Sequence, residues 1–337
     1  MYKRQVTERA RRVAHVPEVL YHWRVVPGST AGDASAKPYA WEAGRRAVQA
    51  HLDRVGVPGE VQFGEIPGTL RVVREASADH VVSVVIPTRG SSGIVWGEER
   101  VFVVEAVRSV IENAGYPHVE IVVVYDLETP PEVLETLREV GNGKVVLVPF
   151  AGPFNFSAKC NVGFLAATGD VIVLLNDDIE AAQPDFLAQL VAPLDEPGVG
   201  MTGAHLLFAD GRLQHGGHVY AGGELMHAFM GAASNDPGPF AALRVSRESS
   251  GLTAACVALT RETFDAVGGL CEVLSVNFND VDLSMKIRSL GLRLLWLENV
   301  VVYHFESQTR EATVHGWEYE FVTERWFFPA EDAYLRL

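Results

Sequence analysis

Four short runs of β-branched and aliphatic residues, separated by helical stretches, dominate residues 81–178. Val81-Val82-Ser83-Val84-Val85-Ile86 is closed by Pro87; Val119–Tyr125, Lys144–Val148 and Val171–Leu175 complete the series. The spacing predicts helices over Val101–Asn113, Pro131–Val140 and Ser157–Ala167, the last ending at Gly169 as a C-cap. A run that is apolar at nearly every position suits a strand covered on both faces. Such strands, joined through helices by right-handed crossovers, give an α/β, Rossmann-like, doubly wound fold with a mostly parallel central sheet. The ligand crevice of that fold lies at the strand C-termini.

The 337 residues fit two domains, or one large α/β domain with extensions. The excess of 43 Asp+Glu over 28 Lys+Arg gives a net charge of −15. A chain so acidic repels nucleic acid, yet it can hold a single nucleotide locally with the help of a divalent cation. Cys160, Cys256 and Cys271 form no CxxC pair and no disulfide framework, which points to a reducing compartment. The basic N-terminus lacks the apolar segment of a signal peptide, and the apolar runs are too short to cross a bilayer. The expectation is a cytoplasmic protein, with peripheral contact at the inner face of the membrane left open. Oligomeric state is not legible.

Residues 1–80 differ from the rest. They carry basic clusters (Arg9, Arg11, Arg12; Arg45, Arg46) and Pro-Gly pairs. One helix is expected over Pro38–Val55, with Ala40, Ala43, Ala47, Val48 and Leu52 on one face. No independent core is visible, so 1–80 reads as an accessory segment packed on the main domain.

Polar residues gather at the strand ends: Pro87-Thr88-Arg89-Gly90, Tyr125-Asp126 and Asn176-Asp177-Asp178. Adjacent carboxylates after an apolar strand suit a hard divalent cation bridging to phosphate, or a solvated turn with an Asp helix cap. No glycine-rich phosphate loop follows any strand, which disfavours a P-loop or dinucleotide fold. Further on, Phe278-Asn279-Asp280-Val281-Asp282 opens a helix. Asn279 is the expected N-cap, with Asp282 at N3 and also four residues from Lys286. Both are structural jobs for Asp282. Asp280, at the expected N1, has a charge that a helix dipole favours, which suits a carboxylate that is to accept a proton. An apolar strand then delivers His304, either a hydrogen-bonded core residue or a ligand. His215 and His227, in a Gly-rich stretch from Gln214 to Gly231, are either hydrogen-bonded members of a hairpin or residues on the acceptor side of the cleft.

Taken in order, Val84–Thr88, Glu120–Val124, Leu174–Asp178, Val267-Gly268-Gly269, Asn279–Asp282 and Tyr303-His304 resemble family 2 glycosyltransferases, inverting enzymes of the glycosyltransferase A-type fold. Pro153–Ser157, Gln214–Gly217, His227-Ala228-Phe229 and Phe278–Asp282 resemble a bacterial branch that makes cell-surface polysaccharides and includes rhamnosyltransferases. The resemblance implies a catalytic domain over 81–310, with a nucleotide-sugar half (81–180) and an acceptor half (181–310). It also implies that the accessory segment resembles the tail of an upstream glycosyltransferase domain, on Val16–Arg24, and that 311–337 is a closing helical tail.

It further implies roles. Pro87, Thr88 and Arg89 would line the base and ribose pocket, Asp126 would hold base or ribose, and Lys159 and Asn161 would sit near the donor. Asn176-Asp177-Asp178 would be a DxD-like motif, with Asp178 binding Mg²⁺ or Mn²⁺ and His304 completing the metal shell. Asp280 would be the catalytic base. The donor would be a nucleotide-diphosphate sugar and the acceptor a glycan or lipid-linked glycan, with no nucleic-acid partner. Asp178 and His304 would then lie within about 6–8 Å of each other. Three positions depart from the family pattern: Tyr125, Asn176 and Asn279 stand where acidic residues are usual. The alternative is a catalytically silent module of the same fold that binds nucleotide-sugar, glycan or a partner domain; Tyr125 and Asn176 favour it, while Asp178, Asp280 and His304 oppose it. A nucleotidyltransferase would need a triphosphate loop, and none is found.

Overall fold

The computed structural model describes residues 10, 16, 18–22, 24–25, 38–305 and 314–335. Arg9, Arg11 and Arg12 lie outside the described residues, as do Pro17 and Trp23 of the Val16–Arg24 match and residues 306–313.

The first helix, α1, spans Pro38–Val55, as expected. It packs on a hairpin the sequence did not announce, β1 (Gly59–Phe63) and β2 (Leu70–Arg74). Val48, Leu52 and Val61 form a small buried cluster there, so the segment has a modest core of its own. Ala40 and Ala43 are exposed, so the buried face is narrower than the expected one. Ion pairs from Arg74 to Glu196 and from Arg244 to Glu65 tie this unit to the rest.

The main body follows: β3 (Val82–Thr88), β4 (Ser92–Val95), β5 (Glu98–Val101), α2 (Phe102–Asn113), β6 (Val119–Asp126), α3 (Pro131–Gly141), β7 (Val145–Phe150), α4 (Phe156–Ala166) and β8 (Val171–Leu175). Then come β9 (Ile179–Ala181), α5 (Phe186–Val191), β10 (Val199–Leu207), β11 (Leu213–His215), β12 (His218–Ala221), β13 (Glu224–His227) and β14 (Arg247–Glu248). The chain closes with β15 (Cys256–Thr260), α6 (Arg261–Ala266), α7 (Asn279–Ser289), β16 (Arg293–His304) and α8 (Gly316–Trp326).

The central sheet has the order β14-β16-β10-β15-β8-β3-β6-β7, with β9 on β16 and β11 on β10. Its first-built half, β8-β3-β6-β7, is parallel throughout. The other half is mixed, because β15 runs antiparallel to both its neighbours while β16 lies parallel to β10. The α/β expectation holds, and the antiparallel insertion is the refinement.

Side chains alternate across this sheet with period two. Val84, Ile86, Ile121 and Val123 face the cluster that takes in Val103 and Val107 of α2 and Leu137 of α3. Val85, Val122 and Val124 face the opposite cluster, with Phe164 of α4 and Leu283 and Ile287 of α7. Both faces are buried, which is why these strands read as continuous apolar runs. Pro87 does not end β3: pairing with β8 stops at Val85, and the strand continues on β6 alone to Thr88, where a residue lacking N–H is tolerated. Gly169 is not the C-cap of α4, which ends at Ala166; a Cβ on Gly169 would collide with the backbone carbonyl of Val81, so glycine is there for close packing. No helix among the described residues is long and apolar enough to cross a membrane.

Candidate active site

A cleft of about 440 Å³ opens at the C-terminal ends of β3 and β8. Eight of the expected site residues line it: Pro87, Thr88, Arg89, Asn176, Asp177, Asp178, Asp280 and His304. They arrive from four separate stretches of chain, and each is delivered by a definite local device.

The DxD-like turn is held from both sides. Thr88 Oγ1 at the end of β3 donates to Asp177 Oδ2 at 2.6 Å and accepts from Gly90 N–H at 2.9 Å. Burial first, then the charge of Asp178, pushes the Asp177 carboxyl up to about 7, against the opposing bond from Thr88 and the charge of Lys159. The turn leads directly into β9, the short strand the sequence did not reveal. β9 pairs with β16 in a register that sets Ile179 opposite His304, and Phe305 N–H donates to Asp178 O at 3.0 Å. Strand pairing alone therefore brings residues far apart in sequence together, and Asp178 Oδ1 lies 3.2 Å from His304 Nε2.

His304 is oriented by a partner whose role the sequence did not give away. Its Nδ1 lies 2.6 Å from Gln214 Oε1, so Nδ1–H donates there and Nε2 keeps its lone pair toward Asp178. Asn176 Nδ2 stands 3.2 Å from the same Nε2. A carboxylate oxygen and an imidazole lone pair at this separation, beside a second carboxyl whose charge is disfavoured by burial and then by its neighbour, form a donor set that fits one divalent cation. Gln214 sits in a motif visible in the sequence, but only the fold shows that it faces His304.

Asp126 and Lys159 lie behind this wall. Lys159 is fully buried on α4; its Nζ donates to Thr88 O at 2.6 Å and pairs with Asp126 Oδ1 at 2.6 Å. Burial lowers the Lys159 pKa, and Asp126 opposes that shift. The ammonium thus braces the end of β3 from beneath. Gly163, one turn further along α4, allows this close approach, because a Cβ there would run into Val85 and Val124. Arg89 is largely exposed at the rim, its Nε 3.8 Å from Asp126 Oδ2.

Asn161 is placed elsewhere. It does not line the cleft; its side chain donates to Leu270 O and Glu272 Oε1 and accepts from Leu270 N–H. Ser157 Oγ donates to Leu274 O, and Asn155, the N-cap of α4, donates to Glu272 O. The α4 start is therefore a clamp on the 270–275 loop that leads to Asp280.

At the end of that loop, Phe278 adopts a left-handed backbone, φ 58°, uncommon for a bulky residue and frequent at functional sites. This moves the N-cap from the expected Asn279 to Phe278, with Asn279 the first helical residue and Asp280 the second. Asp280 Oδ1 accepts from Val281 N–H at 2.8 Å, and the carboxylate faces the cleft at the N-terminus of α7. Asp282 is fully buried and faces away: Lys286 Nζ lies 2.9 Å off, Trp326 Nε1 donates to it at 2.8 Å, and Arg325 Nε is 3.4 Å away. The expected i,i+4 pair is present, and α8 adds two further partners. Glu318 of α8 also holds Asn277 Nδ2 at 2.8 Å. The closing helix thus fixes both ends of the segment that carries Asp280.

His218 and His227 oppose each other across the β12–β13 hairpin and both line the cleft; His215 lies on β11, its Nδ1 2.9 Å from His227 Nδ1.

Comparison with known proteins fits this arrangement. The family described as "Glycosyl transferase family 2" matches residues 83–266. The uncharacterized protein y4gI of Sinorhizobium fredii (strain NBRC 101917 / NGR234) is 37% identical over 305 residues, covering 89% of this chain and 33% of that protein. The O-antigen biosynthesis protein RfbC of Myxococcus xanthus is 30% identical over 313 residues, covering 91% of this chain and 24% of that protein. The chain therefore spans a third or less of the curated relatives it matches. Among solved structures, GalNAc-T7 with UDP, GalNAc and Mn²⁺ superposes with a TM-score of 0.55 at 19% identity, over 74% of this chain and 49% of that one, a likeness of fold.

Proposed function

This chain belongs to glycosyl transferase family 2, and from that premise we propose that it is a metal-dependent, inverting glycosyltransferase. It moves a hexose, with rhamnose as one candidate, from a nucleotide-diphosphate donor to a hydroxyl of a glycan or lipid-linked glycan. Similarity to an O-antigen biosynthesis protein supports cell-surface polysaccharide as the product class. Residues 81–180 serve the donor and 181–310 the acceptor, with 1–80 as an accessory unit and 311–337 as the closing tail.

The observation that carries this reading is the meeting of Asp178 and His304 at 3.2 Å in a cleft that Asp280 also lines. Asp178 and His304 would hold Mg²⁺ or Mn²⁺. Such an ion, when bound, neutralises the charge that develops on a departing nucleoside diphosphate. Pro87, Thr88 and Arg89 line the pocket for base and ribose, while Asp126 and Lys159 shape it from behind. Asp280 accepts the proton of the acceptor hydroxyl as that oxygen attacks the anomeric carbon opposite the leaving group. One displacement of this kind inverts the configuration, through an oxocarbenium-like transition state. The test is a panel of nucleotide-sugars assayed for release of nucleoside diphosphate with and without Mn²⁺. Mn²⁺-dependent release from one donor is expected; silence toward every donor, with nucleotide still bound, would favour the non-catalytic module.

A further inference from the structure

Three histidines stand beside Asp280. The ring centroids of His215, His218 and His227 lie 5.0, 4.8 and 5.1 Å apart, and one nitrogen from each falls within 4.8 Å of the others. Three imidazoles this close suggest a metal cage, but the hydrogen bonds argue for a different arrangement. Thr253 N–H donates to His215 Nε2 at 3.2 Å, so that nitrogen carries a lone pair. Burial above all, with the neighbouring histidines, holds the His215 pKa well below the usual imidazole value, and the ring is neutral. Its single proton therefore sits on Nδ1 and points at His227 Nδ1, 2.9 Å away. A metal at that nitrogen would have to remove the proton or break the Thr253 bond.

His218 is set differently. It is 2% exposed, and its Nδ1 is buried without a hydrogen-bond partner. The ring lies against Gly251, where a Cβ would come within 2.6 Å of Nδ1. Nε2 faces Asp280 Oδ2 at 3.9 Å. Burial pushes the His218 pKa down to about 4, although Asp280 pulls the other way, so this ring too is neutral. Nδ1 meets no acceptor and Nε2 faces a carboxylate, which puts the one proton on Nε2.

We propose that His218 is a positioning residue for Asp280: its Nε2–H donates to Oδ2 and fixes the carboxylate so that its remaining lone pairs face the acceptor hydroxyl. The proposal rests on Asp280 being the base. Val281 N–H already holds Oδ1 at 2.8 Å, so His218 supplies the second anchor. The 3.9 Å gap is longer than a hydrogen bond and closes by rotation of the Asp280 side chain when acceptor binds, as catalytic bonds commonly tighten on binding. The acceptor proton moves to Asp280, and His218 keeps its own proton throughout. The bonded pair of His215 and His227 walls the ring on one side and Gly251 backs it on the other.

The test compares His218→Leu, which fills the space without a donor, with His218→Gln, which restores an N–H at similar reach. His218→Leu should lower kcat about 10- to 100-fold, the size of one charge-assisted hydrogen bond, with donor KM unchanged. His218→Gln should recover most of that loss. Gly251→Ala, which pushes on the ring without altering its chemistry, should lower kcat without changing donor KM. Equal kcat in the Leu and Gln variants, whether both impaired or both normal, would overturn the proposal. So would a Zn²⁺-dependent rise in the Tm of the unaltered protein that His218→Gln abolishes, because that would reveal a metal cage. Asp280→Asn is assayed alongside: if it keeps normal turnover, the base assignment fails and this proposal with it, whereas an inactive Asp280→Asn with a fully active His218→Leu sinks the positioning role alone.

Discussion

On one wall of the cleft, Thr88, Asn176, Asp177 and Asp178 stand at the ends of parallel strands that are buried along their whole length. On the other, Phe278, Asp280 and His218 stand on a helix start and a hairpin held by side-chain hydrogen bonds and one strained backbone. The first wall is rigid because the sheet is; its polar groups come from the strand register. The Asp280 segment of the second is clamped by α4 and α8, through Asn155, Ser157 and Asn161 on one side and Glu318, Arg325 and Trp326 on the other. Groups on the first wall suit binding of donor and cation, and those on the second suit handling of the acceptor proton. Substitutions on the two walls should therefore fail in different ways.

The largest effect is expected at Asp280. Asp280→Asn should lower kcat by about 10²–10⁴-fold, the usual worth of a general base, read from initial rates of nucleoside diphosphate release. Next comes Asp178→Ala, which should cost about 10²–10³-fold in turnover, the scale of removing one group that stabilises transition-state charge, and should weaken nucleotide binding as well. If both variants lose turnover while binding nucleotide normally, the division between the walls is broken.

A smaller loss is expected one layer out. Gln214→Leu leaves His304 without its Nδ1 acceptor, and metal affinity should fall about 10- to 100-fold in a Mn²⁺ titration of turnover. Unchanged affinity would mean that strand pairing alone holds His304.

The smallest effect on turnover, within about threefold, is expected at Asp282, since a base acts on the transition state and Asp282 faces away from the cleft. Asp282→Asn should instead cost about 1–3 kcal/mol of stability in a denaturant titration, because it unbalances a buried ion-pair cluster. An inactive but stable Asp282→Asn would move the base to the second carboxylate.

The same contrast explains what could be read from the chain beforehand. The parallel half was legible because buried strands must be apolar on both faces and because polar residues at their ends have no packing role. Asp178 and His304 were nameable, but β9, the three-residue strand that joins them, carries no periodicity long enough to see. The second wall was harder. A left-handed Phe278 runs against local preference, so the sequence placed the N-cap one residue late. The resemblance places Asn161 near the donor, whereas its amide is spent on Leu270 and Glu272 across the loop. His218 carries no signal of its own: a histidine after two glycines becomes informative only when the hairpin sets it beside Asp280. The αββ unit escaped because β1 and β2 are short and half exposed, with the burial of only a few residues to mark them.

The claim that the two walls divide the work is tested most directly by titration calorimetry of UDP and GDP with Mn²⁺ into Asp280→Asn and the unaltered protein. The nucleotide bound by the unaltered protein should bind Asp280→Asn with a Kd within about twofold, although turnover has collapsed, because a base acts only in the transition state. A Kd weakened by the same factor as turnover would contradict it, and would place Asp280 among the groups that hold the donor.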